Sequence, residues 1–159
     1  MFLHQPFRWN YWSLWNINKK TQLNLPKNKK IILFDGVCNL CNASVAFIIK
    51  HDKKDVFRFA ANQSAVGQEI IKMFEIDSSK TDSIILYDAN IGIQVESKAA
   101  FSIAKDLEGI YHYLFYLSFL PTAMADFFYR LIAKNRYKWF GKIENCMIPT
   151  ASILKKFLQ

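Results

Sequence analysis

The chain has 159 residues, 52% hydrophobic and 16% aromatic, with 21 Lys and Arg against 13 Asp and Glu and a formal charge of +8. That length fits one domain with a sizeable core, and the apolar content excludes a disordered chain. Three cysteines in a chain this long exclude a small scaffold built on disulfides.

The positive charge lies at the two ends. Residues 1–30 hold six basic residues and no acid, and residues 127–159 hold seven against Glu144 alone. An anionic surface such as lipid headgroups is one reading; solvated faces and tails are the other. No nucleic-acid motif stands in the chain, and no nucleic-acid partner is expected.

Residues 1–29 read as an N-terminal aromatic and basic extension. Phe7, Trp9, Tyr11, Trp12 and Trp15 come first, then a lysine-rich stretch with Pro26 near its end. Exposed tryptophans are costly, so this segment is expected to dock on its own domain, on a partner or at a membrane interface. Met1 to Trp15 lacks a basic start followed by a clean apolar run, so no signal peptide and a cytoplasmic location are expected.

Residues 30–159 read as one domain. Ile31 to Phe34 form an apolar run that reads as a buried strand, and Asp35 to Val37 as a tight strand-to-helix connection. Cys38 then falls at or just before a helix start, and Cys41 one turn further in. Residues three apart on a helix are neighbours, so the two sulfurs can meet without backbone movement. At a helix start the backbone N–H groups lack partners and the dipole is positive, which stabilises a thiolate. Cys41 is expected to lie deeper and to act as the resolving partner.

The helix expected over Asn42 to Asp52 turns Cys41, Val45, Ile48 and Ile49 to one face and ends in solvent at Lys50, Asp52, Lys53 and Lys54. His51 sits about 20 Å along it, at ~1.5 Å per residue, and reads as a surface histidine. Val56 to Ala60 is a second strand. Asn62 or Ser64 can cap a helix to about Phe74, with Val66, Ile70 and Phe74 inward. After a polar loop, Ser83 to Tyr87 is a third strand, and Ile91 to Glu96 returns as an antiparallel fourth. Ser97 is expected to cap a helix through Leu107, with Ala100, Phe101, Ala104 and Leu107 inward.

The order β-α-β-α-β-β-α, with a parallel start, a closing hairpin and a final helix, is an α/β thioredoxin-like arrangement: a mixed sheet of four strands flanked by helices. Added C-terminal helices follow. Ile110 to Ala125 is strongly apolar, too short for a transmembrane span and interrupted by His112, Ser118 and Pro121. It is expected to be half of a buried helix pair. The second half runs from Thr122 to about Tyr137, with Phe127, Phe128, Leu131 and Ile132 on its apolar side. Asp126 and Arg130 are spaced to pair, Arg130, Lys134 and Lys138 continue a basic stripe, and Gly141 stops the helix.

These residues together resemble the DCC family of thiol-disulfide oxidoreductases, named for an Asp-x-x-Cys-x-x-Cys motif. Here the motif is Asp35, Cys38 and Cys41 within Phe-Asp-Gly-Val-Cys-Asn-Leu-Cys. The stretch Tyr129 to Gly141 and the later Cys146 and Pro149 also resemble that family, so the likeness spans about Lys30 to Pro149. It implies a dithiol exchanging with a thiol or disulfide substrate, a protein, and an unidentified reductant, with no cofactor and no metal. Cys38 attacks and Cys41 resolves in that scheme. Asp35 is either a proton acceptor or pKa-tuning group for Cys41, or a cap on the turn N–H groups. Better-known thioredoxins carry a cis-proline before the third strand, where this chain has Lys80-Thr81-Asp82-Ser83.

Other readings stay open. Cys146 is either a buried small hydrophobe or a third redox thiol. Cys38, Cys41, Cys146 and His112 could make a zinc site, although a second close-spaced ligand pair is missing. The aromatic N-terminus and basic stripe could instead form a non-enzymatic interaction module, with weak membrane-surface contact. An aspartyl phosphatase is set aside, because Val37 stands where a second Asp is needed.

Overall fold

The structure is a computed structural model and describes residues 25–26, 28–77, 83–143 and 151–158. It is a mixed α/β fold with a four-stranded sheet in the order β2-β1-β3-β4. The strands are β1 (Lys30–Phe34), β2 (Phe57–Ala61), β3 (Ile85–Asp88) and β4 (Gly92–Val95). Helix α1 (Asn39–His51) joins β1 to β2, α2 (Ala65–Met73) follows β2, and α3 (Glu96–Asp106) follows β4. A 3₁₀ segment (Gly109–Phe119), α4 (Thr122–Phe140) and α5 (Ala151–Leu154) follow among the described residues.

β1 pairs parallel with β2 and antiparallel with β3, and β3 pairs antiparallel with β4. This is the thioredoxin-like arrangement, with C-terminal helices added. A central strand is covered on both faces, which explains its unbroken apolar run. Ile32 and Phe34 face a cluster with Val45, Ile48, Leu86 and Ile103, under α1 and α3. Ile31 and Leu33 face the opposite cluster, with Ile70, Ile85 and Tyr87, under α2; Leu25 packs against this one. Ser64 caps α2 by accepting the Gly67 N–H at 3.1 Å. A Cβ at Gly67 would lie 2.1 Å from the Ala61 carbonyl oxygen, so only glycine allows this approach of helix to strand.

Several expectations are corrected. Asp52 does not end α1 in solvent: it is buried and accepts the Val56 and Phe57 N–H groups at 2.7 and 3.1 Å, which seats the start of β2. Lys156 supplies its counter-charge at 2.9 Å. His51 is half-buried, packed against the rings of Phe47 and Tyr111. Ser97 does not cap α3, which starts after Val95 with no side-chain cap. Its hydroxyl is buried and donates to the Asp126 carboxylate, so the inward face is Ala99, Ile103, Ala104 and Leu107, with Ala100 and Phe101 only half-buried. Asp126 is thereby engaged, and Arg130 instead makes a two-pronged pair with Glu96 at 2.9 and 3.0 Å.

The largest correction concerns residues 110–132. A buried helix pair was expected, but none of the 3₁₀ segment is buried. Tyr113, Tyr116, Phe119, Phe127, Phe128 and Leu131 are all exposed, Phe119 to 80%. The segment leans on α3 through Phe115, under Lys105, and through the His112 ring nitrogen at the Lys105 carbonyl. No further layer covers it among the described residues. None of their helices is long and apolar enough to cross a membrane.

The chain end adds a short pairing at the free edge of β2. Phe59 donates to the Lys156 carbonyl and accepts from the Leu158 N–H, both at 2.8 Å. The Phe157 ring packs on Phe34 and Phe59.

Candidate active site

The site forms where β1 ends and α1 begins. Asp35 lies directly after β1, and Cys38 has the extended backbone (φ −94°, ψ 121°) of a helix N-cap. Its Sγ accepts the Cys41 N–H at 3.4 Å, satisfying a helix-start donor that has no backbone partner. Asn42 is buried, and its amide donates to the Gly36 carbonyl at 2.9 Å, which fixes the turn between strand and helix. The motif residues Asp35, Cys38 and Cys41 therefore stand together, and both cysteines are free thiols.

Asp35 is 5% exposed and surrounded by donors. Its Oδ1 accepts Gln63 Nε2 at 2.7 Å and the Val37 N–H at 3.2 Å. Its Oδ2 accepts Arg136 Nη2 at 2.9 Å and the Tyr137 hydroxyl. Gln63 closes a ring by accepting the Gly36 N–H at 3.1 Å. Burial works to raise the Asp35 pKa, but the bonds from Tyr137, Gln63 and Val37 and the Arg136 charge outweigh it and hold the carboxyl below its ordinary value. Burial, with the hydrogen bond to Asp35, pushes the Tyr137 hydroxyl up.

Sequence reasoning did not find Arg136, Tyr137 or Gln63. Arg136 stood only within the stretch Tyr129 to Gly141 that resembles the family, with no role of its own, and its side chain is 3% exposed. The available signal was periodic: Tyr129, Ala133, Arg136 and Tyr137 fall on one face of α4, at the spacing of an inward stripe. Tyr129 closes the same region by accepting the Ile84 N–H at 2.9 Å.

The depth of the two thiols is opposite to expectation. Cys38 is 0% exposed, whereas Cys41 is half-buried. The cause is a strap far away in sequence. After Gly141 ends α4 with a positive φ of 77°, the chain turns back along the motif. Lys142 pairs with Cys38 in an antiparallel bridge, and Ile143 donates to the Val37 carbonyl at 2.9 Å. Asn39 Nδ2 holds the Phe140 carbonyl at 2.8 Å. Burial pushes the Cys41 thiol up to about 12, with its contact to Cys38 adding and Arg136 opposing. Cys41 also lines a pocket of about 570 Å³ between α1, α3 and α4.

Cys146 and Pro149, the aromatic residues of the N-terminal extension, and Lys80, Thr81 and Asp82 lie outside the described residues. Among the described residues, no three His, Cys, Asp or Glu side chains stand close enough to hold a metal ion.

The thioredoxin-like sheet thus carries a Cys-x-x-Cys pair at the N-terminus of the helix that follows β1, and comparison with known proteins gives the family. The family model of the DCC1-like thiol-disulfide oxidoreductases matches residues 32–142. The uncharacterized protein YuxK of Bacillus subtilis (strain 168) is 42% identical over 130 residues, covering 81% of this chain and 93% of that protein. The chloroplastic DCC family protein At1g52590 of Arabidopsis thaliana is 35% identical over 130 residues, covering 80% of this chain and 75% of its own. No solved structure gives a significant match. The chain belongs to the DCC1-like thiol-disulfide oxidoreductase family.

Proposed function

We propose that the protein is a thiol-disulfide oxidoreductase that cycles Cys38 and Cys41 between dithiol and disulfide. The observation that carries this reading is the Cys41 N–H donated to Cys38 Sγ at 3.4 Å at the start of α1. It brings the two residues together and directs a positive helix end at one sulfur. Family membership supports the same activity.

In this reading Cys38, as thiolate, attacks a substrate sulfur and forms a mixed disulfide. Cys41 then loses its proton, attacks Cys38 and releases the reduced substrate. The raised Cys41 pKa suits a thiol that waits for the second step. Asp35 is engaged by four donors and held ionised, which makes it a weak proton acceptor and a fixed negative charge near Cys41. That favours tuning of Cys41 over proton transfer. Because Cys38 is covered, substrate reaches it when the strap at 141–143 shifts. A reducing compartment such as the cytoplasm suits a pair that begins its cycle as a dithiol, and thiols or disulfides are its substrates.

The test is trapping. Cys41→Ser protein, in a Cys146→Ser background, mixed with hydroxyethyl disulfide should accumulate a mixed disulfide on Cys38, read by peptide mass. Accumulation on Cys41 in Cys38→Ser protein, with none on Cys38 in the converse variant, would reverse the assignment.

The exposed belt supports a second role alongside the first: contact with an anionic membrane surface. Tyr113, Tyr116, Phe119, Phe127 and Trp139 are aromatic and exposed, and Lys134 and Lys138 are exposed on the same helix as the last two. Aromatic rings beside lysines suit the headgroup layer. The protein should float with phosphatidylglycerol vesicles and not with phosphatidylcholine vesicles, and Phe119→Asp should weaken flotation. Equal behaviour with both lipids would remove this role.

A further inference from the structure

The pocket beside Cys41 carries information about what the dithiol acts on. Its volume of about 570 Å³ is that of a small-molecule site, within the usual range of ~300–1,000 Å³. Leu40, Phe47, Ile103, Leu114 and Ile132 line it, and Cys41 is part of its wall. Its charged lining residues are Asp35 and Arg136, which neutralise each other in a buried pair at 2.9 Å. A ligand bearing carboxylates or phosphates would leave water for an apolar wall whose charges are already matched. A hydrocarbon ligand would gain from every wall it touches.

We propose that this pocket holds the body of a small, uncharged, mostly hydrocarbon disulfide, such as a cyclic dithiolane on an alkyl chain, and that the Cys38–Cys41 pair reduces it. This rests on the dithiol reading above and names its substrate class as a small apolar molecule in place of a protein. Cys38 thiolate attacks one ring sulfur and opens the S–S bond, giving a mixed disulfide and a substrate thiolate. Cys41 thiolate attacks Cys38 Sγ, which closes the protein disulfide and expels the second substrate sulfur. Two electrons pass from the cysteine pair to the substrate. Two protons, from the pair or from solvent, finish on the substrate dithiol. Apolar contacts hold the ring at the Cys41 end of the pocket, and Cys38, which is buried one helical turn away, meets it when the strap at 141–143 shifts.

The test uses the full chain, reduced beforehand, in single turnovers with lipoamide, oxidised glutathione or hydroxyethyl disulfide. Cys38 and Cys41 are alkylated at intervals and counted by peptide mass. Each rate is divided by that disulfide's rate with free dithiothreitol, which removes intrinsic ring reactivity. The normalised rate for lipoamide should exceed that for oxidised glutathione at least tenfold. Ala133→Phe, which fills the pocket, should lower the ratio of lipoamide to hydroxyethyl disulfide at least tenfold. Leu114→Asp alters an exposed lining residue and should lower the same ratio if Ala133→Phe does not fold. Equal normalised rates, or an unchanged ratio in a folded variant, would overturn the apolar substrate class and leave the dithiol reading standing. Failure of all three disulfides to oxidise the pair would overturn both.

Discussion

Asp35 and Arg136 are 101 positions apart and meet as a buried ion pair, Oδ2 to Nη2 at 2.9 Å. The pair joins the motif turn to the added C-terminal helix, so α4 is tied directly to the dithiol site. Removing one partner strands the other charge in a low-dielectric site, which costs about 3–5 kcal/mol. Arg136→Met should lower unfolding stability by that amount in urea titrations. Asp35→Asn with Arg136→Met should lose less than the sum of the two single changes, by at least ~1 kcal/mol. Strict additivity would mean that the pair does not act as a unit.

The same carboxylate gives the fold an acid-sensitive arm. Burial acts to raise the Asp35 pKa, but its bonds from Tyr137, Gln63 and Val37 and the Arg136 charge bring it below the ordinary value. A carboxyl lowered on folding stabilises fully above its unfolded value, about 3.9, and that contribution drains as pH falls through the folded value. Wild-type stability should therefore fall as pH drops from ~5 into the acid range. The fall should be shallower in Asp35→Asn, with chemical denaturation at several pH values as the measure. Asp88 is lowered as well, against its burial, through Lys30 and Asn90, so some slope remains in the variant.

The strap at 141–143 lies along Cys38, which is buried. Asn39→Ala removes the 2.8 Å bond to the Phe140 carbonyl, worth about 1 kcal/mol. If Cys38 reacts from strap-open molecules, its alkylation by iodoacetamide should rise roughly fivefold, the factor that 1 kcal/mol represents. Cys41 alkylation should change little. Peptide mass resolves the two sites, and equal acceleration at both would point to general loosening.

The motif was legible because its chemistry is local. An apolar strand, Asp35 at its end and Cys38 at a helix start follow from a dozen consecutive residues, and the inward face of α1 follows from its period. What sequence reasoning missed came from distant chain. Arg136 and Tyr137 approach Asp35 across the whole fold, and residues 141–143 bury Cys38, which inverted the expected depth of the thiols. Ser97 had the right type and place for a cap, but Asp126 offered its hydroxyl a buried partner. Residues 110–132 were apolar enough to predict burial, and apolarity does not say whether a covering layer exists.

The central claim is that Cys38 and Cys41 form a reversible redox pair. The most direct test equilibrates the protein in glutathione or dithiothreitol buffers of graded potential, traps the thiols by alkylation and counts them by mass, with Cys38→Ser and Cys146→Ser proteins beside wild type. The account predicts one reversible two-thiol step, abolished by Cys38→Ser and untouched by Cys146→Ser. A pair that stays reduced across the whole range, or a step that survives Cys38→Ser, would contradict it.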